Sequence, residues 1–125
     1  MKVLTDSSVW IAYFRGSGDL TAMEWLLEEG LIVINELILA ELTPPLLLRG
    51  ERKLAALLRE VECLPLTVDW DNLIELQVTC LRHGINKVGL PDLIIAQHAL
   101  QNELALFSHD KHFALLARHL PLRLH

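Results

Sequence analysis

Apolar residues along this chain fall into short runs and longer periodic stretches, which predict alternating strands and helices. Short runs rich in apolar or β-branched residues are typical of buried strands. They occupy 3–6, 31–34 and 105–108, with further candidates at 63–68 and 122–124. Longer stretches with apolar residues three and four apart predict helices at 7–14, 20–29, 35–45, 51–61, 69–83, 91–102 and 110–118. This alternation indicates a three-layer α/β fold, with a mostly parallel central sheet flanked by helices.

Residues that favour helix ends support these boundaries. Ser7-Ser8 and Asn35 are of the types that cap helix N-termini, and Pro91 is typical of a first helical turn. Pro44-Pro45 predicts the end of the third helix, because proline lacks the N–H group that a helix interior needs.

Length and composition narrow the class of protein. The 125 residues fit a single domain over 1–125, and a 52% hydrophobic content with 22% charged residues excludes a disordered chain. Cys63 and Cys80 are too few for a disulfide scaffold and suit the reducing cytoplasm. No apolar run approaches the ~18 residues of a membrane span. The net charge of −5 argues against a broad basic surface for nucleic acid, although it allows a metal-dependent site.

Four carboxylates occupy informative positions. Asp6 follows the first strand, Asp92 opens a helix, and Asp110 follows the 105–108 strand. Ligands of open α/β sheets bind outside the carboxyl ends of the strands, although an Asp in a first helical turn also serves as a cap. Glu41 lies among apolar neighbours on its helix, where a carboxylate is costly unless it is paired or binds a metal. Glu36 is interpreted as a solvated surface acid.

Oxygen donors of this kind suit a hard cation such as Mg²⁺ or Mn²⁺, which can orient and acidify a water for attack on a phosphodiester. The sequence has no phosphate loop of the GxxxxGK type, no GxGxxG and no motif for a Ser–His–Asp triad.

Four segments resemble, in order, the blocks of PIN-domain nucleases, especially the VapC-type toxins of toxin–antitoxin pairs. They are LTDSSVWI at 4–11, AEL at 40–42, LPDLIIA at 90–96 and LFSHDKHF at 106–113. Their order, their spacing and the chain length are all similar to the family, so the resemblance covers essentially the whole chain.

The resemblance implies a Rossmann-like parallel sheet and an endoribonuclease that uses Mg²⁺ or Mn²⁺ and acts on tRNA or rRNA. It also implies a cognate antitoxin that blocks the site, and a homodimer. Carried over by position, the catalytic and metal-binding acids are Asp6, Glu41, Asp92 and Asp110, with Ser8 and Ser108 as supporting polar residues. His112 stands where the family often has a further Asp, which puts a fifth acidic ligand and a second metal in question.

Other features have two interpretations each. Arg15 and Arg49 are candidate RNA contacts, and Arg49 belongs to a basic segment that is equally well a solvated helix face; its other members are Arg52, Lys53 and Arg59. Residues 46–48 form either an apolar groove for an antitoxin helix or part of the core.

Aromatic residues in the first helix are interpreted as core or dimer packing rather than an RNA-stacking platform; they are Trp10, Tyr13 and Phe14. His83 and His98 are interpreted as surface residues.

Two alternative functions stay open, and a third is disfavoured. One is a catalytically silent PIN-like domain that only binds a partner, and another is a DNA-cutting nuclease of the same fold. A phosphoryl-receiver domain is disfavoured, because Asp6 is followed by two serines instead of an adjacent acid.

Overall fold

The computed structural model describes residues 1–125 and alternates five strands with seven helices. The strands are β1 (Val3–Thr5), β2 (Ile32–Ile34), β3 (Glu62–Cys63), β4 (Ala105–Phe107) and β5 (Arg123–Leu124). The helices are α1 (Ser7–Phe14), α2 (Leu20–Glu28), α3 (Glu36–Leu48), α4 (Arg52–Glu60), α5 (Trp70–Arg82), α6 (Leu90–Gln101) and α7 (Lys111–Ala117). No helix is both long and apolar enough to cross a membrane.

The strands form one parallel sheet in the order β3-β2-β1-β4-β5, which confirms the predicted α/β architecture. Val3 of β1 lies in register with Ile32 on one side and with Ala105 on the other. The chain builds the sheet outward from β1 in one direction and then returns to its other side with β4. The carboxyl ends of β1 and β4 therefore flank the point where the strand order reverses, which is where α/β sheets bind ligands.

The core lies on both faces of this sheet. The three inner strands are buried at every position, as expected for a sheet covered by helices on both sides. Trp10 is completely buried and contacts the rings of Tyr13 and Phe14, with centroid distances of 6.4 and 5.7 Å. Core packing is thus the correct interpretation of Trp10, which offers no surface for base stacking, whereas Tyr13 and Phe14 are only partly buried against the core.

The predicted end of α3 at Pro44-Pro45 is wrong, because the helix contains both prolines and continues to Leu48. Leu42 and Leu46 lie on its buried face, and their packing offsets the two backbone hydrogen bonds that the prolines remove. The glycine that terminates the helix is Gly50, two residues beyond Leu48, which has a φ of 73°. There the amides of Gly50 and Glu51 donate to the carbonyls of Leu47 and Leu46, respectively, in the pattern of a glycine-terminated helix.

The third strand is shorter than predicted. Its pairing with β2 covers Glu62–Cys63, and a last amide, that of Leu64, donates to the carbonyl of Ile34. Pro65 has no N–H group with which to extend the ladder, so the predicted strand over 63–68 ends there.

The interpretation of His98 as a surface residue is wrong, whereas His83 is exposed as expected. His98 is 1% exposed, and its two ring nitrogens lie 3.0 Å from Nδ2 of Asn35 and 3.1 Å from the carbonyl oxygen of Pro65. Because the amide nitrogen of Asn35 donates, Nδ1 of His98 accepts and Nε2–H donates to Pro65. The ring is therefore neutral, and burial lowers its pKa.

Candidate active site

Asp6 is fixed at the carboxyl end of the central strand. It precedes α1, yet its side chain makes no capping hydrogen bond to that helix. Instead, its Oδ2 atom accepts hydrogen bonds from Oγ of Ser8 and Oγ of Ser108, both at 2.9 Å. The residue is only 5% exposed. Two hydroxyl groups thus hold one oxygen of a buried carboxylate, while Oδ1 has no donor from the protein.

The two serines also join the ends of β1 and β4. The hydroxyl oxygen of Ser8 accepts from the backbone amide of His109, and that of Ser108 accepts from the amide of Asp110, at 3.0 and 2.9 Å. Ser108 therefore has two structural roles, since it binds Asp6 and also closes the turn after β4.

Asp92, Asp110 and His112 meet beside this pair of strand ends. Asp110 caps α7 by accepting from the backbone amide of His112 at 2.9 Å, and Asp92 lies in the first turn of α6. The Nδ1 atom of His112 lies 3.2 Å from Oδ2 of Asp92 and 3.4 Å from Oδ1 of Asp110. The candidate ligand atoms of all three side chains lie within 4.8 Å of one another.

His112 is the residue of this site that was hardest to predict from the sequence. Its only signal was its position, which the family often fills with an acid. An ionised carboxylate accepts hydrogen bonds but cannot donate, so Nδ1 of His112 carries the proton shared with Asp92. The position therefore contributes a hydrogen-bond donor, where an aspartate would add a negative charge.

Glu41 extends toward the same site from the middle of α3. The residue is exposed, so the expectation that it lies on a buried apolar face is wrong, and its carboxylate is only partly shielded from water. Its pKa is raised by desolvation, and further raised by the negative charges of Asp6 and Asp92. The pKa of Asp92 is also raised, chiefly by burial and in addition by Asp110 and Asp6, against the lowering effect of the His112 hydrogen bond. These mutual effects place all four predicted acids in one electrostatic field.

This arrangement fits a bound divalent cation. Four carboxylates supply hard oxygen donors, and the free Oδ1 of Asp6 is available as a ligand atom. Burial is the main cause of the raised pKa values of Glu41 and Asp92, and the neighbouring carboxylates add a repulsion that a cation would relieve. An imidazole beside them is compatible with Mn²⁺ as well as with Mg²⁺ bound through the acids. The roles of these residues as metal ligands and catalytic groups stay predictions.

Arg15 and Arg49 lie next to the acidic site. Both line a groove of about 150 Å³ that also contains Glu41, and they lie at the C-terminal ends of α1 and α3. Arg59 lines a different cavity of about 530 Å³, beyond α3, which holds none of the four acids. The basic segment considered from the sequence is therefore divided, and only Arg49 of its members lines the groove with Glu41.

A parallel five-stranded sheet with four carboxylates at its carboxyl edge defines an α/β domain with an acidic, metal-type site. The chain belongs to the PIN domain family, whose model matches residues 3–119. The sequence-based recognition of a PIN domain is thus confirmed. Among curated proteins, none matches the sequence of this chain.

Solved structures with the same fold include several toxin–antitoxin proteins. VapBC2 from Rickettsia felis, bound to a DNA fragment from its promoter, superposes with a TM-score of 0.79 at 21% identity, covering 100% of this chain and 98% of that one. The DNA-bound VapBC of Salmonella typhimurium superposes with a TM-score of 0.75 at 18% identity. The match covers 100% of this chain and 97% of that one. VapC20 from Mycobacterium tuberculosis, a sarcin-ricin loop cleaving toxin, superposes with a TM-score of 0.65 at 16% identity. The match covers 98% of this chain and 99% of that one.

Proposed function

We propose that this chain is a VapC-type toxin that cuts RNA as a divalent-metal-dependent endoribonuclease. The observation that carries the proposal is the convergence of Asp6, Glu41, Asp92 and Asp110 at the strand-order reversal of a PIN domain. The shared fold with VapC20, described as a toxin that cleaves the sarcin-ricin loop, supports a nucleic-acid substrate. The choice of tRNA or rRNA rests on the family resemblance.

The chain's own residues divide the work of such a reaction. A bound Mg²⁺ or Mn²⁺ would polarise the scissile phosphate and lower the pKa of a water molecule. Asp6, Asp92 and Asp110 would hold the cation, with Asp6 oriented by its two serine hydroxyls. Glu41 accepts no hydrogen bond from the protein, and its raised pKa suits one of its Oε atoms to take a proton from the attacking water.

Arg15 and Arg49 would hold the substrate backbone. Their groove adjoins Glu41, so an RNA phosphate bound there would place a neighbouring phosphodiester near the acids. The groove also contains Glu41 and Glu51 and so has no net positive charge. Because the whole chain is negative as well, the attraction for RNA at this groove would come from the two guanidinium groups as local phosphate contacts.

A cognate antitoxin would cover the same region. The groove with Glu41 has apolar walls that include Ile11 and Phe14, and Leu47 and Leu48 are exposed on the last turn of α3. An apolar antitoxin helix in this groove would block access to the acids. Three of the structural neighbours are described as VapBC structures. A homodimer and a cytoplasmic location complete the proposal.

His112 supports a second candidate function, a silent partner-binding domain. It fills a position that the family often gives to an acid, and it contacts both Asp92 and Asp110. If this substitution prevents productive metal binding, the fold would keep its antitoxin surface without cutting RNA. DNA stays a possible substrate, because the metal chemistry distinguishes the two sugars only weakly.

The test is cleavage of total bacterial RNA, and of plasmid DNA, by antitoxin-free protein with Mg²⁺ or Mn²⁺ and then with EDTA. We expect discrete RNA fragments that need the metal and are lost in Asp6→Asn and Asp92→Asn, with a fall of at least ~100-fold in rate. Glu36→Gln, an exposed acid on the same helix as Glu41, is the control and should cut normally.

The other possible outcomes would each support a different function. Full activity in both Asp variants would overturn the proposed site. No cleavage by a folded wild-type chain would favour the silent binding domain, and cleavage of DNA alone would favour the DNA-cutting alternative.

A further inference from the structure

Two segments on one side of the acidic site carry positive charge and no acid. They are residues 82–91, which lead from the end of α5 into α6, and residues 111–119, which contain α7 and the turn after it. Their four cationic residues are Arg82, Lys87, Lys111 and Arg118. All four are exposed, and none of them forms an ion pair within the chain. In a chain with a net charge of −5, this concentration of unpaired cations suits an anionic partner.

The fold holds these two segments side by side, because they meet at both ends. At one end, Nδ1 of His112 lies 3.2 Å from Oδ2 of Asp92, the residue that directly follows the first segment. At the other end, the rings of His83 and His119 stack, with centroids 3.8 Å apart and planes tilted by 31°. Helix α7 runs between these two contacts and is about 10 Å long. The two segments thus form one surface, here called the basic strip, which begins at the acidic site and ends at the stacked histidines.

The stacked histidines add an aromatic surface to the basic strip. Nδ1–H of His83 donates to the carbonyl oxygen of Thr79 at 2.9 Å, which fixes the orientation of that ring. Both histidines are exposed, so the pair presents ring surface to solvent. Cations that contact a phosphate backbone, together with exposed rings on which bases stack, are the combination that binds single-stranded nucleic acid.

We propose that the basic strip binds a single-stranded segment of the RNA substrate beside the scissile phosphodiester. Phosphates of this segment would contact the cations of the strip, and one base would stack on the pair of His83 and His119. The strip selects a single strand, because a paired base inside a helix has no free face for an aromatic ring. This role rests on the proposed nuclease function, which supplies both the partner and the place where the strand is cut.

The basic strip and the groove of Arg15 and Arg49 adjoin different acids of the site. The groove contains Glu41, whereas the strip contacts Asp92 through His112. A strand that lies in the groove on one side and on the strip on the other would therefore cross the acids between them. Contacts on both sides of the scissile phosphodiester would restrict its position, as an in-line displacement requires.

The first test measures how a fluorescein-labelled oligouridylate binds the full chain, by fluorescence anisotropy in EDTA, where metal-dependent cleavage does not occur. We expect a dissociation constant on the order of 10 µM at physiological salt. Lys87→Gln and Arg118→Gln should each reduce the slope of log affinity against log salt concentration by ~0.7, the value for one lost phosphate contact.

Arg123→Gln is the matched control for these charge variants. It removes the same charge from an exposed residue of β5, which pairs with Ala105 at the amino end of β4, away from the acidic site. Its salt dependence should match that of the wild type.

The second test separates the aromatic contact from the charges. His119→Ala should weaken oligouridylate binding at least ~5-fold, because it removes one ring of the stacked pair. His119→Phe should restore the wild-type affinity, since phenylalanine keeps an aromatic face. When the same strand is paired with oligoadenylate, the wild type and His119→Ala should bind it equally well. Circular dichroism checks that each variant folds.

Three results would overturn the proposal. They are a wild-type chain that does not bind oligouridylate, an Arg123→Gln variant whose salt slope changes as much as those of Lys87→Gln and Arg118→Gln, and a His119→Phe variant that binds as weakly as His119→Ala.

Failure of the basic strip is distinguishable from failure of the nuclease. Metal-dependent RNA cleavage combined with wild-type binding in the Lys87, Arg118 and His119 variants would overturn the role of the strip alone. Binding that depends on the strip, in a chain that cuts no RNA, would support the strip and overturn the nuclease alone.

Discussion

At the scale of single residues, the hydroxyl of Ser108 supports two partners. It donates to Oδ2 of Asp6 and accepts from the amide of Asp110. We expect Ser108→Ala to reduce metal-dependent cleavage ~10- to 100-fold, because Asp6 loses one of the two hydroxyl groups that orient its carboxylate. It should also lower the free energy of unfolding by about 1 kcal/mol, because the amide loses its acceptor.

Ser108→Thr is the matched control, since threonine keeps the hydroxyl. It should retain wild-type cleavage and stability, measured by RNA fragment analysis and thermal melting. Equal losses in the alanine and threonine variants would show that the hydroxyl is not what matters.

The raised pKa of Glu41 has a consequence for stability in the absence of a cation. Its pKa in the folded chain lies above the ordinary value of 4.5, so ionisation is harder in the native state than in the unfolded one. The protonated Glu41 side chain therefore makes its full contribution to the free energy of unfolding below pH 4.5. That contribution is lost as the pH rises through the pKa of Glu41 in the folded chain.

Glu41→Gln removes the desolvation cost of the Glu41 carboxylate at neutral pH, and with it the repulsion by Asp6 and Asp92. In EDTA at pH 7, we expect its Tm to exceed the wild-type value by about 2 °C, as for a solvent-screened like-charge contact. Mg²⁺ should then raise the wild-type Tm more than that of the variant. Glu36→Gln should change neither value, and a Glu41→Gln chain that melts below wild type in EDTA would refute the explanation.

At the scale of elements, the cap at Asn35 was predictable, whereas the cap predicted at Ser7-Ser8 is wrong. Helix α1 begins at Ser7 after Asp6, and the hydroxyl of Ser8 binds Asp6 instead of a helix amide. The side chains of Asn35 and Asp69 cap α3 and α5, since each accepts a hydrogen bond from an amide three residues later. Local chemistry decides such ends, and the sequence displays it.

Pro44 and Pro45 led to a wrong prediction of where α3 ends. The tertiary packing of α3 outweighs the backbone hydrogen bonds that the prolines remove, and no local sequence pattern indicates that packing.

His98 links two elements that carry site residues. It lies on α6, as Asp92 does, and contacts Asn35, the cap of the helix that carries Glu41. Its pKa in the folded chain is lowered by burial, so the native ring resists protonation. Stability from the neutral ring is therefore complete above the unfolded pKa of ~6.5 and is lost as the pH falls through it.

We therefore expect His98→Gln to lose part of the acid sensitivity of the fold. The wild-type Tm should fall more than that of His98→Gln between pH 7 and pH 5.5, whatever their difference at pH 7. His83→Gln, at an exposed histidine, should keep the wild-type pH dependence. Identical pH profiles for wild type and His98→Gln would show that His98 does not contribute.

At the scale of the whole molecule, the acidic site exists only because of the sheet topology. Asp6 and Asp110 follow neighbouring strands, whereas Glu41 and Asp92 come from helices on other parts of the chain. Their types and order could be predicted, since each stands at a position where the family pattern has an acid. Their distances could not, and neither could the place of His112 between Asp92 and Asp110, because both depend on how α6 and α7 pack.

The most direct test of the central claim is a titration of Mn²⁺ into antitoxin-free wild-type protein. Bound metal is followed by electron paramagnetic resonance, and RNA cleavage is measured on the same samples. The account predicts that cleavage rises in proportion to occupied sites, and that Asp92→Asn loses both together while its fold persists. Cleavage that proceeds at full rate in EDTA, or undiminished in Asp92→Asn, would contradict a metal-dependent site built from these acids.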